Sequence, residues 1–241
     1  MIGSILFGLF GLAVLTGIAV LFSRDRRAID LRLVLSGVGL QLLFALLDIR
    51  VPGGREVMET LSGFFVLLIN LSLDGARFIF GPLADTSKLG FIIAFQVLPT
   101  IIFFSSLMGV LYHLGIMQKI VQGMAWVMFR IMHISGAESL SVAANVFVGQ
   151  TEAPLVVRPY IQRMTESELF AMMVGGMATI AGGVMAAYIA MLGGADEAMR
   201  IYYAKHLLSA SIMAAPATVV IAKILQPETG RSLTAGSVSM H

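Results

Sequence analysis

The chain of 241 residues contains no cysteine. Disulfide frameworks, thiolate-ligated zinc and thiol chemistry are thereby excluded. Charge is scarce as well. Only 12% of residues are Asp, Glu, Lys or Arg, about half of the roughly 25% found in soluble domains. That excludes a disordered solvated chain, a nucleic-acid-binding domain and an ordinary cytosolic enzyme. Sixteen basic against 14 acidic residues give a net charge of +2, a near-balance that calls for no acidic partner. Histidine is limited to four residues. His113, His133 and His206 are far apart, His241 lies in the tail, and none shows metal-ligand spacing. No Ser–His–Asp arrangement can be argued, so the chain does not read as an enzyme. What it has in excess is apolar residues, at 58% of the total, with a mean hydropathy of +0.90.

The uncharged runs give an all-α, polytopic membrane protein. A helix needs about 20 apolar residues to cross the hydrocarbon core. Five crossings are expected: Met1 to Phe22, Leu31 to Val51 (the run Leu33 to Leu47 with snorkelling flanks), Leu89 to Gln118, Leu169 to Ala195, and the shorter His206 to Ala222, flanked by Lys205 and Lys223. The first has neither a basic leader nor a small-residue cleavage site, so it reads as a span and not as a signal peptide. Three runs are shorter, at Thr60 to Leu73, Ile120 to Phe129 and Ser139 to Thr151. Short apolar runs usually mean interfacial or re-entrant segments. Val57, Leu61, Phe64 and Leu68 form a stripe in or beside the first, which is expected to be interfacial. Ile116, Ile120, Met124, Val127 and Ile131 recur at helical spacing, with Lys119, Gln122 and Arg130 off that stripe. An amphipathic helix lying on the membrane face is expected there. Arg24, Arg26, Arg27 and Arg32 place their loop in the cytoplasm, and the N-terminus then lies outside. Nine basic residues fall inside, six outside and one in the tail, which is a modest bias.

The third short run leads into the informative stretch, Ser139 to Arg163, SLSVAANVFVGQTEAPLVVRPYIQR. A first helix of about twelve residues covers only about 18–20 Å at 1.5 Å per residue. Gly149 suits a left-handed helix stop. Thr151 suits the cap of a second helix and Pro154 its first turn. A kinked full span is the alternative, but a hairpin that enters and leaves on one side fits the two short limbs better. At its tip, unpaired carbonyls favour a cation and unpaired N–H groups favour acceptor groups of a substrate. Glu152 at such a depth marks a functional site, because charge in the membrane is costly. A second break is expected in the fourth span, at Gly175-Gly176-Met177-Ala178-Thr179-Ile180-Ala181-Gly182-Gly183, because each helical glycine costs roughly 1 kcal/mol against alanine. Close packing of helices through small residues explains the same glycines equally well.

These motifs carry a resemblance. AANVFVGQTEAPLVVRPYI, then GGMATIAGG and AKHLLSASIMAAPATVVIAKIL, resemble the first re-entrant hairpin and the two following helices of the concentrative nucleoside transporters. The resemblance runs from about residue 1 to Glu228. It implies the first half of an inverted-repeat transporter, with sodium-coupled nucleoside uptake by an elevator-like movement, a homotrimer, and no nucleic-acid partner. The location it implies is the cytoplasmic membrane. Gln150, Thr151 and Glu152 then contact the nucleobase. Asn145 by side chain, Val148 by carbonyl, Thr179 by both and Ile180 by carbonyl then hold Na+. Proton-coupled relatives depart from this tip sequence, which favours sodium over a proton.

The expected organisation is a scaffold over 1–88, a third span and surface helix over 89–135, a hairpin with transport-core helices over 136–228, and an aberrant polar tail over 229–241. The family's second hairpin and its ribose-contacting groups are missing. A truncated or frame-shifted product is therefore expected, one that fails to transport alone. The alternative is a non-transporting scaffold or a subunit that pairs with a separate C-terminal half.

Overall fold

A computed structural model describes residues 2–85, 89–90, 92–194, 196–230, 232 and 234. Helix is the regular secondary structure throughout the described residues. The helices are α1 (Ile2–Leu21), α2 (Leu31–Ile49), α3 (Pro52–Phe80), α4 (Ile93–His113), α5 (Ile116–Met132), α6 (Gly136–Asn145), α7 (Ala153–Val156), α8 (Arg158–Ile161), α9 (Glu166–Ala178), α10 (Gly182–Gly193) and α11 (Glu197–Leu225). Five stretches are long and apolar enough to cross a membrane: Leu31–Asp48, Gly53–Ala84, Ile93–His113, Glu166–Gly193 and Glu197–Leu225. Leu6–Leu21 is a shorter apolar helix within α1.

This set differs from the uncharged runs in instructive places. Thr60 to Leu73 lies inside the 29-residue helix α3. Glu59 and Asp74 do not end it, because Glu59 pairs with Arg55 at 2.9 Å and Asp74 with Arg77 at 3.3 Å along the same helix. Such pairs, three or four residues apart, support a helix. The stripe of Val57, Leu61 and Phe64 faces outward, and Ser62, Val66, Ile69, Leu73 and Ala76 face the protein. In α5 the buried stripe is Met117, Val121, Ala125, Met128 and Met132, one residue on from the expected one. Ile116, Ile120 and Ile131 form a second apolar stripe beside it and stay exposed. Leu89 to Gln118 is split at Gly115, whose φ of +76° is left-handed and open to glycine without strain. The last span starts at Glu197, capped by Asp196, well ahead of His206. Arg200 is accommodated there because it donates to Asn70 Oδ1 at 2.6 Å and to the Gly194 carbonyl at 2.7 Å.

α11 is the mast of the bundle. Its C-terminal half packs on α1, α2 and α6 through Ala19, Leu33, Leu40, Val142, Val146, Val219, Val220 and Ile224. Its N-terminal half meets α3, α4 and α10 around Phe104, Val66, Ile69, Ile189 and Ala204. The third cluster packs α5 against α6 and α7, through Val121, Ala125, Leu140, Ala144, Ala153 and Val157. That cluster seats the hairpin.

Candidate functional site

The segment 136–163 is a helical hairpin. Helix α6 rises from the Ser135 cap, whose Oγ accepts from Glu138 N at 3.2 Å. It ends at Asn145, four residues before Gly149. Gly149 is not left-handed; the positive-φ glycines among the described residues are Gly81, Gly90, Gly115 and Gly194. Nor does Thr151 cap the next helix, where Glu152 takes the cap position without a side-chain bond. The turn is closed by main chain instead. The Gly149 carbonyl accepts from Glu152 N and Ala153 N, both at 3.0 Å. Pro154 stands in the first turn of α7 as expected. The returning limb is two short helices, because Pro159 has no N–H with which to continue the ladder. Both ends of the hairpin meet at one end of α11. Thr165, after the second limb, donates to Glu228 at 2.8 Å, and Gly136 N, at the start of the first, donates to the Thr234 carbonyl at 3.1 Å.

The fourth span breaks where the glycines placed it. α9 ends at Ala178, Thr179 is extended (φ −117°, ψ 162°), and α10 begins at Gly182. The two broken segments face each other. Gly182 N donates to the Phe147 carbonyl at 3.0 Å. A Cβ on Gly176 would lie 2.7 Å from Gln150 Cβ and 3.3 Å from its Cα. One on Gly175 would lie 3.1 Å from Asn145 Nδ2. The glycines therefore serve both expected roles, unwinding and close approach. Gly176→Ala should cost about 1–3 kcal/mol by forcing the tip away, seen as a lower melting temperature in detergent. Gly123→Ala, with open space around it, should show no loss.

The expected site residues lie on the two facing breaks or at the ends of the helices beside them. Asn145 is buried, and neither its Oδ1 nor its Nδ2 has a hydrogen-bond partner. The carbonyls of Val148, Thr179 and Ile180 accept no main-chain hydrogen bond among the described residues. Thr179 Oγ1 donates to the Gly175 carbonyl at 2.9 Å, which leaves its lone pairs free. An orphaned buried amide oxygen and free carbonyls are the kinds of oxygen ligand that suit a hard cation. Gln150, Thr151 and Glu152 are exposed at the tip. Glu152 also borders a 650 Å³ cavity between the hairpin and the α4–α5 corner, lined by Tyr112, Gln118 and Arg158 among others.

A second polar cluster, at the hairpin's base, was not singled out in the sequence. Lys223 Nζ lies 3.2 Å from Glu138 Oε1, 3.1 Å from Glu228 Oε2 and 2.9 Å from Ser167 Oγ. Its members are spread from residue 138 to residue 228, so no local spacing announces it. His206 and Asp48 lie outside both clusters. His206 bonds the Tyr202 carbonyl at 2.8 Å, and Asp48 accepts from Ser209 at 2.8 Å.

Comparison with known proteins fits this geometry. Residues 10–83 match the family described as "Na+ dependent nucleoside transporter N-terminus", and residues 94–195 match "Nucleoside recognition". A transporter of Haemophilus influenzae is 48% identical over 94% of this chain and 52% of its own length. The nucleoside permease NupC of Helicobacter pylori is 40% identical over 100% of this chain and 57% of its own. The structure of CNTnw in an inward-facing substrate-bound state superposes with a TM-score of 0.88 at 44% identity, covering 97% of this chain and 55% of that one. The chain thus spans about half the length of the relatives it matches. These relatives are transporters and not enzymes. By its two family matches, its relatives and the superposed structure, the chain belongs to the concentrative nucleoside transporter family and corresponds to its N-terminal half.

Proposed function

We propose that the chain forms the first half of a sodium-coupled nucleoside uptake system of the cytoplasmic membrane. The hairpin is then re-entrant. Gln150, Thr151 and Glu152 offer the nucleobase amide, hydroxyl and carboxylate groups. Asn145, the Val148 and Ile180 carbonyls, and Thr179 hold Na+ just behind them. The observation that carries the reading is Asn145. A buried amide without a partner costs about 1–3 kcal/mol, and a bound cation relieves that cost. A scaffold without transport has no use for such a group.

Coupling to a proton is the second reading. It fits the ion pocket less well, because Asn145, Val148, Thr179 and Ile180 contain no ionisable group, and a proton needs one. The sodium in the name of the matched N-terminal family supports the first reading. The trimeric assembly and the elevator-like movement follow from the same family reading, and the external N-terminus follows from the loop of Arg24, Arg26, Arg27 and Arg32.

The test uses the purified chain in detergent, with saturation-transfer NMR to detect uridine. Binding that requires sodium over choline, and that falls at least ten-fold in Glu152→Gln, supports the proposal. Binding equal in choline, or indifferent to Glu152→Gln, overturns it.

A further inference from the structure

The base cluster holds three carboxylates around one buried lysine, and the three are not equally served. Glu228 accepts from Lys223 at 3.1 Å, Thr165 Oγ1 at 2.8 Å and Gly230 N at 3.0 Å. Glu168, also 1% exposed, accepts from Thr165 N at 2.8 Å in a capping box, and its Oε1 has no hydrogen-bond partner. Glu138 is 1% exposed, and its Oε1 has the Lys223 ion pair but no hydrogen bond. One lysine cannot neutralise three charges. The capping box fixes Glu168, whereas the Glu138 carboxylate is held by the Lys223 ion pair alone and borders a cavity, so the proton taken up by the cluster is assigned to Glu138. Beside it opens a cavity of 770 Å³, rimmed by Asp30, Arg130 and His133. A charged Glu138 has somewhere wet to go.

Glu138 and Asn145 stand seven residues apart on α6, two turns and about 10 Å along one face. Between them on the same helix, Ser141 Oγ donates to the Glu138 carbonyl at 2.9 Å. We infer that Glu138 is a proton-operated positioning residue: neutral, it locks the hairpin's base against α11 and keeps Asn145 in place; charged, it turns toward the cavity and releases the limb. Six titratable or charged groups bear on it: Lys223, Glu228, Glu168, Asp30, Arg130 and His133.

Glu138 lies outside the five candidate spans. Burial pushes its carboxyl up to about 7, against the pull of Lys223. Because the value is raised in the closed base, the closed state binds the proton more tightly than the open one. Closure is fully favoured at low pH and is lost as pH rises through about 7.

The test is amide hydrogen exchange of residues 139–148 in the purified chain, in choline, at pH 8 and pH 6, corrected for intrinsic rates. Protection should rise about ten-fold on going to pH 6, the span of one titration across this window. Glu138→Gln should be protected at both pH values. Lys223→Met, which removes the attraction, should move the step to higher pH, and Lys223→Arg should leave it in place. Absence of the step, its persistence in Glu138→Gln, or an unmoved midpoint in Lys223→Met overturns the inference. The effect on sodium rests on the sodium site proposed above, so it is read separately. If sodium stabilises the chain, it should do so more at pH 6 than at pH 8. A pH step without any sodium effect would sink the sodium site and leave the lock standing.

Discussion

Asn145→Ala should leave the fold as stable as before, or more so, while removing its response to sodium. Most substitutions of a buried polar residue break a bond and destabilise. Here neither amide atom has a partner, so the variant breaks none and deletes an unsatisfied group. In sodium-free buffer the melting temperature is expected to hold or rise. Sodium affinity should fall roughly 10- to 150-fold, the equivalent of one lost contact to a charged group at about 1.5–3 kcal/mol. Melting curves in a sodium series against choline read both quantities. A variant that melts early without sodium would mean that Asn145 holds the fold and not the ion.

Lys223→Met carries the other large effect, on stability. The lysine is 7% exposed and sits between Glu138 at 1% and Glu228 at 30%. Removing one partner of a buried pair costs about 3–5 kcal/mol when the other charge stays buried, as that of Glu138 does while the base is closed. The loss should be largest at pH 8, where Glu138 is ionised, and smaller at pH 6, where it accepts a proton. The double variant Lys223→Met with Glu138→Gln should recover most of it, since the stranded charge is gone. Chemical unfolding in detergent at both pH values checks this. An equal loss at both, with no recovery in the double variant, would show that the lysine matters for packing and not for charge.

These two predictions rest on residues the sequence revealed unequally. Asn145, Gln150, Thr151, Glu152, Thr179 and Ile180 lie in two short motifs whose glycines and Pro154 mark breaks, and the roles proposed for them come from the family resemblance of those motifs. The breaks were found, but their chemistry was not. Gly149 and Thr151 have the right propensities for a stop and a cap, yet the turn closes through the Gly149 carbonyl. Propensity says that a turn forms and leaves open which atoms close it. Charge misled at α3, where Glu59 and Asp74 looked like ends and are held by arginines on their own helix. In α5 two apolar stripes lie side by side, and only the tertiary partner decides which is buried. The cluster around Lys223 was illegible for the plainest reason. Glu138 and Lys223 each border an uncharged run, where a charge reads as a boundary, and only folding brings the two boundaries together.

The bond from Gly182 N to the Phe147 carbonyl joins the two interruptions of regular helix at the site. Each supplies what the other lacks, a donor on one side and an acceptor on the other. Sliding the hairpin past α10 would leave both groups dry, at several kcal/mol each in a membrane interior. Tip and broken span are therefore tied as one unit. If the proposed transport moves them, the slip is expected at softer seams, such as the cavity between the tip and the corner of α4 and α5, which no main-chain bond crosses among the described residues.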